Sequence, residues 1–174
     1  DRNTVYLSGY FGRDKLGHEN TFGFNWGNAT GTLRWSRLIN SRLFSSTSLV
    51  YSRYDYEIQN LLEENSFSIS SAIRNYNIKQ DFEYSLNNGH ALRFGLNAIH
   101  HTIIPGSIRS GESSSVNNIE LEDRRGLETA VYIADEWQVN SRINLSYGLR
   151  GSAFSALGPG TFSQYDASGN VLST

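Results

Sequence analysis

The sequence has no cysteine, no methionine and only two prolines, and it lacks any apolar run of the roughly 18 residues needed for a transmembrane helix. Each absence excludes something. Without cysteine there are no disulfides and no thiolate metal sites, which suits a chain that passes through an oxidising compartment. Without a long apolar run there is no membrane helix. A membrane strand is untouched by that argument, because it presents lipid only at every second position. Charge of one sign is also missing: 15 basic and 17 acidic side chains leave a net −2, so no basic field points to nucleic acid. No charged leader or apolar signal segment precedes the first strand, and the chain is expected to be an internal piece of a longer, processed one.

What is present favours strands. Aromatic residues make up 13% of the chain, too many for a disordered segment. Gly, Ser, Asn and Tyr are plentiful, while mean hydropathy is only −0.45, a composition of strands and polar loops rather than helices. The clearest element is residues 128–150. Ile143, Leu145, Tyr147 and Leu149 alternate with Asn144, Ser146, Gly148 and Arg150, the period of two that marks a strand with one apolar face. Before them Leu127, Val131, Ile133, Trp137 and Val139 share a parity against Glu128, Ala130, Tyr132, Ala134, Glu136 and Gln138. Only Asn140-Ser141-Arg142 intervenes, so this is a hairpin. Trp137 and Tyr147 are placed where aromatic rings mark a membrane–water boundary.

The rest of the chain reads the same way. Strands are expected near residues 4–13, 29–38, 43–57, 67–84 and 91–104. In the first, Val5, Leu7 and Phe11 oppose Tyr6, Ser8 and Tyr10. In the fourth, Tyr76, Ile78, Phe82 and Tyr84 share a parity, but Phe67, Ile69 and Ile73 take the other. A bulge, or emergence of the strand from a membrane, accounts for that switch, and the sequence leaves both open. Connections near residues 40, 88 and 141 are tight, the second carrying the Asn88-Gly89 hairpin signal. Loops at 14–21, 59–66 and 105–124, and from 156 onward, are longer and polar. Short turns at one end and long loops at the other are the asymmetry of an outer-membrane barrel. Seven strands alone would leave open edges with unpaired backbone groups in lipid, so more strands are expected to complete the wall.

Several segments carry a resemblance. The run AVYIADEW at 130–137, the short turn and YGLR at 147–150 resemble a barrel hairpin of the TonB-dependent outer-membrane receptors, in the form of their Bacteroidetes-type members. YSRYD at 51–55, LRFG at 92–95 leading to His100-His101, and the tail GPG…YDASGNV at 158–171 fit the same family. The resemblance covers nearly the whole chain and implies a partial outer-membrane β-barrel over residues 1–174: all-β, antiparallel, up-and-down, about seven strands of a 22-stranded wall. It further implies import across the bacterial outer membrane of an iron chelate, cobalamin, glycan or peptide, with plug domain and TonB box outside this chain. Implied partners are outer-membrane lipids, the remaining barrel and plug, the TonB complex, the nutrient ligand and a surface lipoprotein. Nucleic acid is not among them. A passive channel or structural barrel shares every strand feature used so far. A soluble all-β binding module is the other alternative, with its apolar faces meeting in a core.

No catalytic, cofactor-binding or metal-binding residue is expected, and no enzyme. His100 and His101 are adjacent in a strand and point to opposite faces, a poor metal pair. The acidic run Glu120-Leu121-Glu122-Asp123 beside Arg124-Arg125 reads as a solvated loop. Gly158-Pro159-Gly160 lacks the lysine and helix of a phosphate loop. Arg34, Arg74, Arg93 and Arg150 are expected on the polar face, in a lumen-wall network with Asp81, Glu83, Glu128 and Glu136. The loops 105–124 and 156–174 are expected to capture substrate or a partner lipoprotein.

Overall fold

Asn140 closes the central hairpin. Its side-chain Oδ1 accepts the backbone N–H groups of Arg142 and Ile143 at 2.9 and 3.0 Å. Asn40 repeats the device in an earlier hairpin, accepting Arg42 and Leu43 at 2.9 and 3.0 Å. Both turns read Asn-Ser-Arg followed by a branched aliphatic residue, and a side chain bonding the backbone two residues on is what makes Asn a turn former. The computed structural model describes residues 2–19, 21–62, 65–86, 89–111 and 115–158, and the backbone of 164–165 and 171–173.

The described chain is all-β. Its long strands are β1 (Asn3–His18), β2 (Phe22–Asn40), β3 (Leu43–Asn60), β4 (Phe67–Ser85), β5 (His90–Ser110), β7 (Arg124–Asn140) and β8 (Ile143–Leu157). Each pairs antiparallel with the next, in the order β1-β2-β3-β4-β5-β7-β8, and the two-residue β6 (Ile119–Glu120) adds to the end of β5. The up-and-down sheet is not closed: among the described residues β1 and β8 each have one neighbour. β9 (Gln164–Tyr165) and β10 (Val171–Ser173) form a separate short hairpin. The rest of the tail, including Pro159 and Gly160, lies outside the described residues.

The seven expected strands are there, but several run further than the sequence reading allows. Residues 14–18, read as loop, belong to β1, and residues 105–110 belong to β5. Pro105 misled the reading because proline cannot donate to a ladder. The structure places it at a bulge, where the β4–β5 register shifts between Ser70 and Ala72. Gly106 takes a φ of +146° there, and Ser71 donates its hydroxyl to the Ile104 carbonyl at 2.8 Å. Asn88 lies outside the described residues, but its neighbour Gly89 has a φ of +77°, the geometry a tight hairpin asks of glycine.

Register fixes the faces, since directly opposed residues point the same way. Leu7, Leu33, Leu49, Ile78, Ala98 and Thr129 follow one another across six strands. This apolar face also carries Val5, Trp35, Phe94, Leu96, Val131, Ile133, Leu145 and Leu149. The other face carries Arg34, Ser48, Lys79, Asn97, Ala130 and Ser152 in the adjoining row. No second layer covers either face among the described residues. Leu7 is 82% exposed and Leu149 80%, and among the described residues the only buried hydrophobic ones are Ala72 and Ala130.

Candidate functional site

The faces exchange character towards the end away from the tight turns. On β2, Leu33 and Trp35 lie on the apolar face, but Phe22, Phe24 and Trp26 lie on the polar one. On β3, Tyr54, Tyr56 and Ile58 do the same, and on β4 so do Phe67, Ile69 and Ile73. The β3–β4 register runs unbroken from Leu43 opposite Tyr84 to Asn60 opposite Phe67. No bulge in β4 causes the switch; the hydrophobic pattern itself changes side at one height on three adjacent strands. The result is an aromatic surface at the far end of the otherwise polar face. Phe24 lies 4.6 Å from Trp26 and 6.4 Å from Tyr56 between ring centroids, and Tyr54 is 6.4 Å from Tyr56. Phe22 and Tyr54 are exposed and Trp26 and Tyr56 half-buried, so ring faces remain open to a ligand. Stacked aromatic faces hold planar or apolar surfaces.

Below this surface the same face is a charged wall. Arg93 binds Glu136 at 2.8 Å and approaches Glu83 at 3.6 Å. Lys79 binds Asp81 at 3.0 Å, and the Tyr132 hydroxyl donates to Asp81. Arg34 donates to Ser48 at 3.3 Å. His101 meets the Asn75 amide oxygen at 2.9 Å and lies 3.7 Å from Glu128. The four expected acidic partners Asp81, Glu83, Glu128 and Glu136 are therefore on this face, with Arg34, Arg93 and Arg150. Arg74 is not. It lies opposite Thr102 and Arg53 on the apolar face, because its parity is that of Tyr76 and Ile78.

A third cluster had no place in the sequence reading. Asp135 shares the apolar face with Ile133 and Trp137, yet is buried. Its Oδ2 meets His90 Nδ1 and accepts the Tyr147 hydroxyl, both at 2.7 Å, and His90 stacks on Trp137 at 5.1 Å. An acid on an apolar face that is partnered in this way is shielded rather than solvated. The only sequence signal was Asp135 interrupting the parity of Leu127, Val131, Ile133 and Trp137.

His100 and His101 point to opposite faces, as their adjacency requires: His100 pairs with Leu127 on the apolar side and His101 with Gly126 on the other. The acidic run at 120–123 is exposed, and among the described residues no three His, Asp or Glu side chains gather in metal-binding geometry. At the height of the aromatic surface but on the other face, Ser68 donates to Glu57 Oε1 at 2.9 Å; that bond first, then one from Gln59, holds the Glu57 carboxyl below the ordinary glutamate range.

No protein-family model, no curated protein and no solved structure matches this chain.

Proposed function

We propose that this chain is part of the wall of an outer-membrane β-barrel importer of the TonB-dependent kind, with the apolar face in lipid and the polar face lining the lumen. The observation that carries the reading is the apolar band itself. It is bounded at the turn end by Tyr84, Trp137 and Tyr147 and at the far end by Arg13, Arg53, Arg74 and Arg125, and no layer formed by the described residues covers it. From Trp137 to Arg125 is 12 residues of β7, about 40 Å at 3.3 Å each. A strand tilt of about 40° reduces this to roughly 30 Å, the thickness of a bilayer's hydrocarbon core.

In this orientation the tight turns at Asn40 and Asn140 face the periplasm, and the strand ends with their aromatic surface stand outside. A strand leaving lipid for water has no reason to keep apolar residues outward, so the change of side on β2, β3 and β4 has a cause. Phe24, Trp26, Tyr54 and Tyr56 then line the outer mouth, where a nutrient ligand arrives before it meets the charged wall. The sandwich alternative needs two facing sheets, and the long strands form only one.

An importer is plugged at rest, whereas a passive channel is open. The full-length protein in a planar bilayer should show no steady conductance at low voltage, and ligand uptake by cells should stop when the inner-membrane proton gradient is collapsed. A constant open conductance with gradient-independent uptake would favour the channel instead. A full-length protein that stays monodisperse in buffer without detergent would overturn the membrane reading itself.

A further inference from the structure

At the far border of the apolar face, Arg53 stands directly opposite Arg74, Arg74 opposite Thr102, and Thr102 opposite Arg125. Three guanidinium groups thus share one row across four strands, with Arg13 one step further out on β1. Paired strands are about 4.8 Å apart, so Arg53 and Arg74 start from backbones at that spacing. Like charges directly opposed destabilise a sheet unless something neutralises them. Among the described residues Asp55 binds Arg53 at 2.9 Å and lies 3.7 Å from Arg13, and Glu57, one step further out on the same face, also attracts Arg13. Arg74 has no carboxylate within ion-pair distance among the described residues. The row keeps a net positive charge and faces outward.

Immediately beneath it, on the same face, is a depression of about 610 Å³. Leu7, Leu33, Leu49, Tyr51 and Ile78 wall it, with His100 at the rim. It is open because Gly31 and Ala98 bring almost no side chain to two adjoining rows in which Leu33, Leu49, Tyr51, Tyr76 and Ile78 also stand. A Cβ added at Gly31 would meet nothing within 4 Å.

We propose that the arginine row and this groove together bind a phosphorylated lipid of the outer leaflet, its phosphate between Arg53 and Arg74 and an acyl chain in the groove. The proposal rests on the membrane reading above. Guanidinium groups match phosphate in shape and charge, and the groove offers an acyl chain an apolar seat. A soluble anion would use the arginines and ignore the groove. A neutral lipid would use the groove and ignore the arginines. Their adjacency on one face, in the order headgroup then chain, selects a lipid with both.

The test uses the full-length protein folded in detergent micelles, titrated with dioleoyl phosphatidic acid, dioleoyl phosphatidylcholine or inorganic phosphate, with bound lipid counted by native mass spectrometry. Two variants report separately on the two halves: Arg53→Gln with Arg74→Gln for the phosphate, and Gly31→Leu, which brings a side chain into the groove from a position where a Cβ meets nothing within 4 Å. Phosphatidic acid should bind about tenfold more tightly than phosphatidylcholine, and each variant should lose about that factor. Inorganic phosphate should compete weakly or not at all. Equal binding of the two lipids, or variants that bind like the parent, would overturn the proposal and leave ordinary annular lipid. Phosphate binding as tight as phosphatidic acid would show that the groove takes no part. If the arginine pair is needed for folding, Gly31→Leu still decides. A protein that refuses micelles but is soluble in buffer would instead sink the membrane reading, a distinguishable result.

Discussion

Tyr132 lies across Gly95 of the neighbouring strand, its ring 2.9 Å from where a Cβ at residue 95 would stand, a Cβ that would press closer still on the Gln80 carbonyl oxygen from the other side. The glycine makes room for the ring, and the ring brings its hydroxyl to Asp81. Gly95→Ala should push against both the Gln80 backbone and the Tyr132 ring and cost about 1–3 kcal/mol, the usual range for overpacking. Gly31→Ala, where the space is open, should stay within about 0.5 kcal/mol of the parent. Urea unfolding of the full-length protein in lipid vesicles would compare them. Equal losses would mean that the β4 backbone at Gln80 and the Tyr132 ring both give way without cost.

The facing assignment predicts a graded penalty. Leu96 lies opposite Val131 in the middle of the apolar band, whereas Leu145 lies opposite Trp137 close to the turn. Arginine at a lipid-facing midplane costs about 2–4 kcal/mol and much less near an interface. Leu96→Arg should therefore impair folding into vesicles strongly, Leu145→Arg less, and Asn97→Arg and Asn144→Arg least. If Asn97→Arg proved as damaging as Leu96→Arg, the faces would be reversed or lipid would play no part.

The twin turns offer a matched pair. Asn40→Ala and Asn140→Ala each remove an acceptor for two backbone N–H groups, and each should cost about 1 kcal/mol. Asn→Asp at either site keeps the acceptor and should stay close to the parent. The midpoint of urea unfolding would report both. A loss at one turn only would show that the shared sequence does not carry a shared energy.

Glu57 supplies a pH signature. A carboxyl whose folded pKa is depressed contributes stability that is complete above its unfolded value, about 4.3, and that is lost as pH falls through the lower folded value. Ser68→Ala removes the largest cause of the depression. Variant and parent should differ most at neutral pH and converge in acid, followed by thermal unfolding of the full-length protein against pH. A gap that stays constant down to acid would mean that the hydroxyl acts by packing alone.

Loop and strand must be separated in any test of ligand capture. Removing residues 107–118 would cut into β5, because Ser107 and Ser110 are paired strand residues opposite Ser70 and Phe67. A deletion confined to residues 112–117 spares those pairs. It should leave surface expression unchanged and reduce ligand binding if the loop takes part in capture. Unchanged binding and uptake would leave recognition to the aromatic surface.

Alternation within each strand was legible in the residues themselves. It separated Leu145 from Asn144 and Leu96 from Asn97, and it located the hairpin at Asn140 and the tight turn before His90. A period of two is a local property, fixed by the pleat. What it leaves free is how the phase of one strand relates to that of the next, since a slip of one residue turns every side chain over. Only the paired sheet could decide that Phe22, Phe24 and Trp26 join Tyr54, Tyr56 and Ile69 on one surface. It also set Arg74, whose parity with Tyr76 and Ile78 already put it on the apolar face, directly opposite Arg53, and it gathered His90, Asp135 and Tyr147 from three strands. Pro105 shows the same limit from the other side. Its missing N–H argues against a ladder, but a bulge supplies a position where no ladder bond is asked for, and bulges are settled by the neighbouring strand.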